Sequence, residues 1–322
     1  MTTAKSEARP LDISIVTVSH NHLPLIEKCL ASLYSTSWSS TFETVVVDNA
    51  CSDRTGEWVA RNYPQVTVIR NEATQGYAAN GNKGMRAQEN GRYVMLLNPD
   101  VQCLPGILDT LVAFMDGHPD VGIAGPKLLN PDGTLQPSCR RFSTPASILI
   151  RGLHLDGVLR KTGLMRRYLM DDFDHQTAAD VDWVTGALMI VRREAIARVG
   201  MMDERYFLYS DDQDWCCRMW QGGWRVCYVP QAQAIHAHMR EGIRKPWSPA
   251  ARHQLVSAIR MFREFGWKLS RTSPAVAVRR DGNRSNGGPA NTRQNALDAD
   301  EHGQIRQRAV VGGRTQPEED GN

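Results

Sequence analysis

Apolar and polar positions follow two alternating periods through residues 12–267. Residues 13–19, Ile-Ser-Ile-Val-Thr-Val-Ser, form a strand-like apolar run of about eight residues' length with its flanks, and they read as a buried strand. Behind it Leu25, Ile26, Cys29, Leu30 and Leu33 recur at helical spacing, which predicts a helix over 23–33. A second strand is expected at 44–48, closing in the turn-rich Asn49-Ala-Cys-Ser-Asp53. A helix over 54–62, a strand at 66–70, a helix over 79–90 and a strand at 93–97 follow. Strand and helix alternating at this spacing predict an α/β protein: a mostly parallel sheet with helices on its faces.

After residue 140 the pattern changes. Residues 140–170 hold seven Lys and Arg against one acid, Asp156, interleaved with leucines and isoleucines. They read as an irregular or short-helical insertion of basic, apolar character. Regular structure is expected again at 183–191, Trp-Val-Thr-Gly-Ala-Leu-Met-Ile-Val, and as a strand at 224–228 followed by a turn at Pro230. Residues 252–268 predict an amphipathic helix with Leu255, Ile259 and Phe262 on one side, flanked by Arg252, Arg260 and Arg263. From residue 270 to 322 there is no Phe, Tyr or Trp, so a disordered tail is expected, with a short flexible stretch over 1–10.

With 41% hydrophobic residues in a chain of 322, a large core can form. Lys and Arg outnumber Asp and Glu by only 38 to 35, which gives no electrostatic case for a nucleic-acid partner. The seven cysteines are odd in number and contain no CxxC pair, which favours reduced thiols over a disulfide framework or zinc site. No apolar run reaches the roughly 18–20 residues of a membrane span, and the N-terminus lacks a signal-peptide pattern. A cytoplasmic protein is expected, with peripheral contact at the cytoplasmic face of a membrane open through the basic insertion and the 252–268 helix. An ordinary amphipathic helix packed on the domain is the alternative.

In an open parallel sheet, ligands bind beyond the carboxyl ends of the strands. Two strands end there in acids, Asp48 and Asp100. Asp48 could accept from a base or ribose, and Asp100 is a hard oxygen ligand suited to Mg²⁺ or Mn²⁺. Turn formation alone explains either residue taken singly, and Asp53 could simply cap the following helix. Neither GxGxxG after the first strand nor GxxxxGK[ST] is present. The stretch Gly76-Tyr-Ala-Ala-Asn-Gly-Asn-Lys-Gly84 would let the backbone approach a ligand or open the 79–90 helix.

A second acidic cluster, Ser210-Asp-Asp-Gln-Asp214, precedes an apolar run. Ser210 and Gln213 have capping-box spacing, which puts Asp211 and Asp212 in a first helical turn. One of them could stay ionised and accept a proton from an acceptor hydroxyl; both could equally be helix-end acids. His236 and His238, two apart on an extended segment, would share a face near a metal, or be ordinary hydrogen-bonded histidines.

In order along residues 13–265, the chain carries Ser14-Ile-Val-Thr-Val-Ser-His-Asn21, Val46-Val-Asp-Asn-Ala-Cys-Ser-Asp53 and Gly76-Tyr-Ala-Ala-Asn-Gly-Asn82. Then come Leu97-Asn-Pro-Asp-Val101, Gln136-Pro-Ser-Cys-Arg-Arg-Phe142, Val184-Thr-Gly-Ala187 and Phe207-Leu-Tyr-Ser-Asp-Asp-Gln-Asp214, with Pro230 through His236 last. This set resembles the family 2 glycosyltransferases, and within them a bacterial rhamnosyltransferase-like branch. The resemblance implies a GT-A fold over residues 11–269, with a nucleotide-binding half at about 11–125 and an acceptor half at about 126–269. It implies a nucleotide-sugar site made by Thr17, Val18, Asn21, Asp48, Asn49, Asn82 and Asn98, and a metal, Mg²⁺ or Mn²⁺, on Asp100 and His236. It makes Asp212 the catalytic base, with Asp211, Asp214, Trp183 and Gly186 on the acceptor side or supporting it. The donor implied is a dTDP- or UDP-sugar, rhamnose first among the sugars, and the acceptor a cell-surface glycan or lipid-linked glycan precursor.

The chain departs from the family pattern in three places. Asn98 stands where many relatives carry the first Asp of Asp-x-Asp, Asp211 replaces a Glu, and Ala237-His-Met-Arg-Glu241 replaces a Gly- and Ser-bearing loop, where Arg240 could serve instead. Two other classes remain in view. A sugar-nucleotide pyrophosphorylase would need a Gly-rich basic loop after the first strand, where this chain has His20-Asn-His-Leu-Pro24. A non-catalytic nucleotide-sugar or glycan-binding module would not need Asp212 beside Asp100.

Overall fold

The computed structural model describes residues 11–152, 155–237, 249–266 and 269. The expected flexible stretch 1–10, the tail over 270–322, His238 and Arg240 lie outside the described residues. In chain order the elements are β1 (Ile13–Ser19), α1 (Leu23–Tyr34), β2 (Phe42–Asp48), α2 (Thr55–Asn62), β3 (Thr67–Arg70), α3 (Tyr77–Ala87), β4 (Tyr93–Leu97) and β5 (Val101–Cys103). Next come α4 (Ile107–Gly117), β6 (Val121–Leu129), β7 (Leu135–Gln136), β8 (Cys139–Arg140), α5 (Pro145–Gly152), α6 (Asp156–Leu159) and α7 (Gly163–Leu169). The last are β9 (Ala179–Asp180), β10 (Trp183–Val184), β11 (Leu188–Arg192), α8 (Arg193–Val199), α9 (Asp211–Gln221), β12 (Arg225–His236) and α10 (Pro249–Phe265).

The main sheet has the order β3-β2-β1-β4-β11-β6-β12-β5. β1, β2, β3 and β4 run parallel, as do β6 and β12, while β11 is antiparallel to both β4 and β6. Two-residue alternation sorts the strands' side chains onto two apolar layers. Ile13 and Ile15 of β1 pack with Ile26 and Leu30 of α1 and with Leu111 and Met115 of α4. Val16, from the opposite face of the same strand, packs with Met85 of α3, Trp215 of α9 and Met261 of α10. This is the mixed, mostly parallel α/β sheet with helices on both faces that the pattern predicted. All seven cysteines are buried and none is in a disulfide.

The differences from the sequence reading are local. Helix α3 begins at Tyr77, with Gly76 as its cap, instead of at residue 79. Its glycines bring backbone to protein: a Cβ on Gly84 would lie 2.4 Å from Val16 Cγ1, and one on Gly76 would lie 2.8 Å from Phe207 Cα. The single strand expected at 183–191 is two. β10 pairs with β8 in a separate small sheet, and β11 joins the main one, with Thr185-Gly-Ala187 turning between them. Pro230 makes no turn. β12 runs through it and absorbs the missing N–H in a register irregularity between Val229 and Gln233. The capping box at Ser210 does not form. Ser210 sits at φ 65° with no side-chain cap, and Asp212 Oδ1 accepts the Gln213 N–H at 2.8 Å while Gln213 Oε1 accepts from Ser143 Oγ. Asp53 spans two helix starts, its oxygens accepting from Thr55 and from the Leu23 N–H at 2.9 Å.

Candidate active site

The parallel strands β1, β2 and β4 deliver Ser19, Asp48 and Asn98 to one edge of the sheet, because their registers align there. At the tip of β2, Asp48 is buried and its Oδ1 accepts the Cys51 N–H at 2.8 Å; Arg70 stands 3.9 Å from its other oxygen. Asn49 is the hub of an amide network. Its Oδ1 accepts from Gln75 N and Asn71 Nδ2, its Nδ2 donates to Gln75 O, and its backbone oxygen is 2.7 Å from His20 Nδ1. Lys83 Nζ donates to Asn71 Oδ1 at 2.6 Å. Asn21, at φ 58°, accepts the Ser52 N–H and turns the loop after β1 over this tip. Thr17 is fully buried in β1 with an Oγ1 that makes no hydrogen bond among the described residues, and Val18 beside it is partly exposed.

Asn82 is a correction to the expected nucleotide set. It is buried in α3, and its amide is taken up by Met202 O, Met202 N and Glu204 Oε1, so it clamps the 202–204 segment to the helix instead of facing the sheet edge.

Beyond β4 the chain turns at Asn98-Pro-Asp100 directly into β5, which pairs antiparallel with the end of β12 in the register His236↔Val101. That pairing sets Asp100 beside His236: Oδ2 to Nε2 is 3.3 Å, and Ala237 N donates to Asp100 O at 2.9 Å. Gln136 fixes the ring. Its Nε2 donates to Asn130 Oδ1 and His236 O, so its Oε1 faces His236 Nδ1 at 2.6 Å and must accept from it. In the neutral ring the Nε2 lone pair then points at a carboxylate oxygen, an arrangement that a divalent cation between them satisfies. Two ligand atoms set at right angles on one such ion lie about 3 Å apart. The carboxamide oxygen of Asn98 next to them is buried and accepts no hydrogen bond among the described residues. A hard oxygen, a carboxylate and an imidazole suit Mg²⁺ or Mn²⁺.

The break between β10 and β11 joins this corner to the second acidic cluster. Asn98 N donates to Ala187 O at 2.8 Å, and Gly186 N donates to Asp212 Oδ2 at 3.0 Å. A Cβ on Gly186 would meet Asp212 Cβ at 3.4 Å, an ordinary contact, so the two segments lie close without the space demanding glycine. Tyr77, at the start of α3, donates its hydroxyl to Gly186 O at 3.3 Å. Its phenol is pushed far up, by burial first and then by the charges of Asp211, Asp212 and Asp100, which surround it. Tyr77 and Gln136 were not singled out from sequence. Both lie inside motifs that had been noted, but only the fold shows what their polar atoms hold.

Three acids in the first turn of α9 have three different settings. Asp212 is partly exposed and accepts two backbone N–H groups at the positive end of the helix. Burial, and then the adjacent Asp212 charge, push Asp211 up to about 8. Asp214 is fully buried and points elsewhere, paired with Arg218 Nε at 2.7 Å. It also closes a group with Asp203 and Glu264 whose oxygens lie within 4.8 Å of one another. Arg205 bridges Asp203 and Glu264, so guanidinium groups already balance that group. Trp183 is buried, donates Nε1–H to Arg141 O at 2.9 Å, and lies under the Arg140 guanidinium at 5.1 Å.

A mixed, mostly parallel sheet flanked by helices on both faces, with acids at its strand ends, is a fold shared with solved glycosyltransferases of the GT-A type. The structure of GalNAc-T7 with UDP, GalNAc and Mn²⁺ shares this fold, with a TM-score of 0.57 at 16% identity, over 81% of this chain and 50% of that one. A mannosyltransferase from Pyrobaculum calidifontis in complex with GDP-Man and Mn²⁺ gives 0.50 at 18% identity, over 88% of this chain and 84% of that one. The family model of glycosyl transferase family 2 matches residues 14–198. An N-acetylglucosaminyl-diphospho-decaprenol L-rhamnosyltransferase of Mycobacterium tuberculosis is 31% identical over 79% of this chain and 86% of its own length. The rhamnosyltransferase WbbL of Escherichia coli K12 is 26% identical over 77% of this chain and 91% of its own. The chain belongs to glycosyl transferase family 2, and it is a glycosyltransferase of rhamnosyltransferase-like type.

Proposed function

We propose that the protein inverts the anomeric centre of its donor while moving a sugar, rhamnose in the first instance, from a dTDP or UDP carrier to a hydroxyl of a glycan or lipid-linked glycan precursor. The observation that carries this reading is the hydrogen-bonded path from Asn98, beside Asp100, through Ala187 and Gly186 to Asp212. It ties the turn that bears Asp100 to the first turn of α9, a link that supports reading Asp212 as a base working with a cation at Asp100 and that a pure binding module would not need. The rhamnosyltransferase and diphospho-decaprenol names of the relatives support the choice of sugar and acceptor class.

In this reading Asp48, Asn49 and the loop at Asn21 receive the nucleoside, with Thr17 and Val18 beneath them. Asp100 and His236 would hold Mg²⁺ or Mn²⁺, and the buried Asn98 carboxamide would offer a further oxygen. When bound, the ion offsets the negative charge of the diphosphate. Asp212 accepts the proton of the acceptor hydroxyl as that oxygen attacks the anomeric carbon from the face opposite the diphosphate. The two N–H groups that Asp212 accepts hold its carboxyl in place. Asp211, carrying its proton, adds no second negative charge to the acceptor side, and Trp183 packs behind the 183–187 turn. The setting proposed is cytoplasmic, with peripheral contact at the membrane face.

Incubating the protein with dTDP-rhamnose, UDP-sugars and a lipid-linked diphospho-GlcNAc acceptor in Mn²⁺, and following product mass and anomeric configuration, tests this reading. The expected product has the configuration opposite to the donor. Retention of configuration, or donor binding with no transfer to any glycan acceptor, contradicts it.

A further inference from the structure

The 3.6-residue repeat divides α10 into two faces. Ala258, Met261, Phe262 and Phe265 are buried in the domain, which moves Phe262 off the outward stripe expected from sequence. On the opposite side Leu255, Val256 and Ile259 are 59%, 55% and 45% exposed, flanked by Arg252, Arg260 and Arg263. A groove of about 710 Å³ runs along this side, with Val256 and Ile259 among its walls and Arg205, Arg260, Arg263 and Glu264 around them. The one acid there, Glu264, is occupied by Arg205 at 2.9 Å. Helix α5, which packs against α10, belongs to the basic insertion, where Leu149 is 62% exposed.

We propose that this outward face of α10 docks on an anionic lipid bilayer, its aliphatic side chains entering the headgroup boundary and its arginines meeting lipid phosphates. The charge pattern selects the occupant. An aliphatic stripe bordered by guanidinium groups, with the groove's Glu264 already paired to Arg205, matches a negatively charged interface. Guanidinium forks over an apolar floor also suit phosphate above acyl chain.

The face is mechanically continuous with the catalytic turn. His253 of α10 stacks on Phe207 at 4.4 Å, and Ser257 Oγ donates to Leu208 O at 2.9 Å. Phe207 O in turn accepts the Tyr77 N–H at 2.8 Å, and Tyr209 and Ser210, both at positive φ, lead directly into Asp211 and Asp212. Docking through α10 would therefore place a lipid-borne acceptor on the same rigid unit as Asp212. That consequence rests on the lipid-linked reading of the acceptor, whereas the docking itself does not.

The test is co-sedimentation of the full chain with phosphatidylglycerol–phosphatidylcholine vesicles and with phosphatidylcholine alone. Binding is expected only to the anionic vesicles and should weaken with salt. Arg260→Glu with Arg263→Glu, or Val256→Glu with Ile259→Glu, should each weaken it about tenfold or more. These positions are surface-exposed or line the groove, and thermal melts of each variant check that folding is intact. Failure of the parent chain to bind, unchanged binding by both double variants, or full competition by inorganic phosphate would overturn the proposal. So would a dimer that the same variants dissociate in the absence of vesicles, because the face would then be a contact between copies. Donor binding in Mn²⁺ is measured in parallel. Its retention in the variants isolates docking, and its absence in the parent chain would count against the transferase reading alone.

Discussion

The tip of β2 and the first turn of α9 are both clusters of acids and amides at the end of a regular element, and they are built in opposite ways. At β2 the polar atoms are largely answered by the protein itself: Asp48 by the Cys51 N–H, and Asn49 by Gln75 and Asn71. At α9 the chain enters through two left-handed residues, Tyr209 and Ser210, and leaves adjacent carboxylates in unequal surroundings. One is buried and pushed up to about 8, and its neighbour is partly exposed and accepts two backbone N–H groups. The first cluster is tied down by its own hydrogen bonds. The second concentrates left-handed backbone and a perturbed carboxyl, features that fit the catalytic role proposed for it.

The contrast can be broken most severely at the corner between the two regions. Asp100→Ala removes the carboxylate of the cation pair while leaving the β2 tip untouched, and it should lower transfer by about a thousandfold, in the range that loss of one electrostatic stabiliser produces. Chelation of the parent chain should match it, and residual Mn²⁺-independent activity in either assay would separate the cation from the reaction. Gln136→Leu acts one step out. With its Nδ1 partner gone, His236 is free to turn, and Mn²⁺ affinity measured by titration should drop about 10- to 100-fold.

Smaller effects sharpen the comparison. Tyr77→Phe removes a 3.3 Å hydrogen bond that steadies Gly186, and through it Asp212, without touching the donor floor. A fall in kcat of about three- to tenfold with donor KM unchanged is expected, consistent with a bond worth about 1 kcal/mol. The smallest effect concerns stability. The carboxyl of Asp211 has an ordinary value of 3.8 and is raised to about 8 when folded, so the native state holds a proton that the unfolded chain releases. Stability from this group is therefore fullest below about pH 4 and is lost as the pH rises to 8. Asp211→Asn should melt higher relative to the parent at pH 8.5 than at pH 5; a gap that does not change with pH contradicts the assignment.

Periodicity placed β1 to β4 with their helices, the run that holds β11, the start of β12 and α10, because buried strands and one-sided helices leave an apolar signature; it did not anticipate α4, β5, β6 or α8. What it misplaced were the joints. The run at 183–191 looked like one strand because Thr185-Gly-Ala187 interrupts neither its apolar character nor its length, yet that interruption carries the link from Asn98 to Asp212. Ser210 and Gln213 had the spacing of a capping box, but spacing cannot register that Ser210 adopts a left-handed backbone or that Ser143, 70 residues away, binds Gln213. The acids at the strand ends were visible. Their division of labour, and the service of Asn82 and Asp214 as internal clamps, depends on partners distant in sequence. Phe262 shows the same limit, since two turns of apolar spacing did not say which side of α10 would face the core.

The central claim is that Asp212 is the base, and Asp212→Asn tests it most directly when donor binding and transfer are measured on one preparation. The variant keeps the shape of the side chain and an oxygen that can still accept the Gly186 N–H, but it has no carboxylate to take a proton. Donor affinity in Mn²⁺ within about twofold of the parent, with transfer reduced about a thousandfold, is the predicted result. Transfer within tenfold of the parent would contradict it and move the proton to another group.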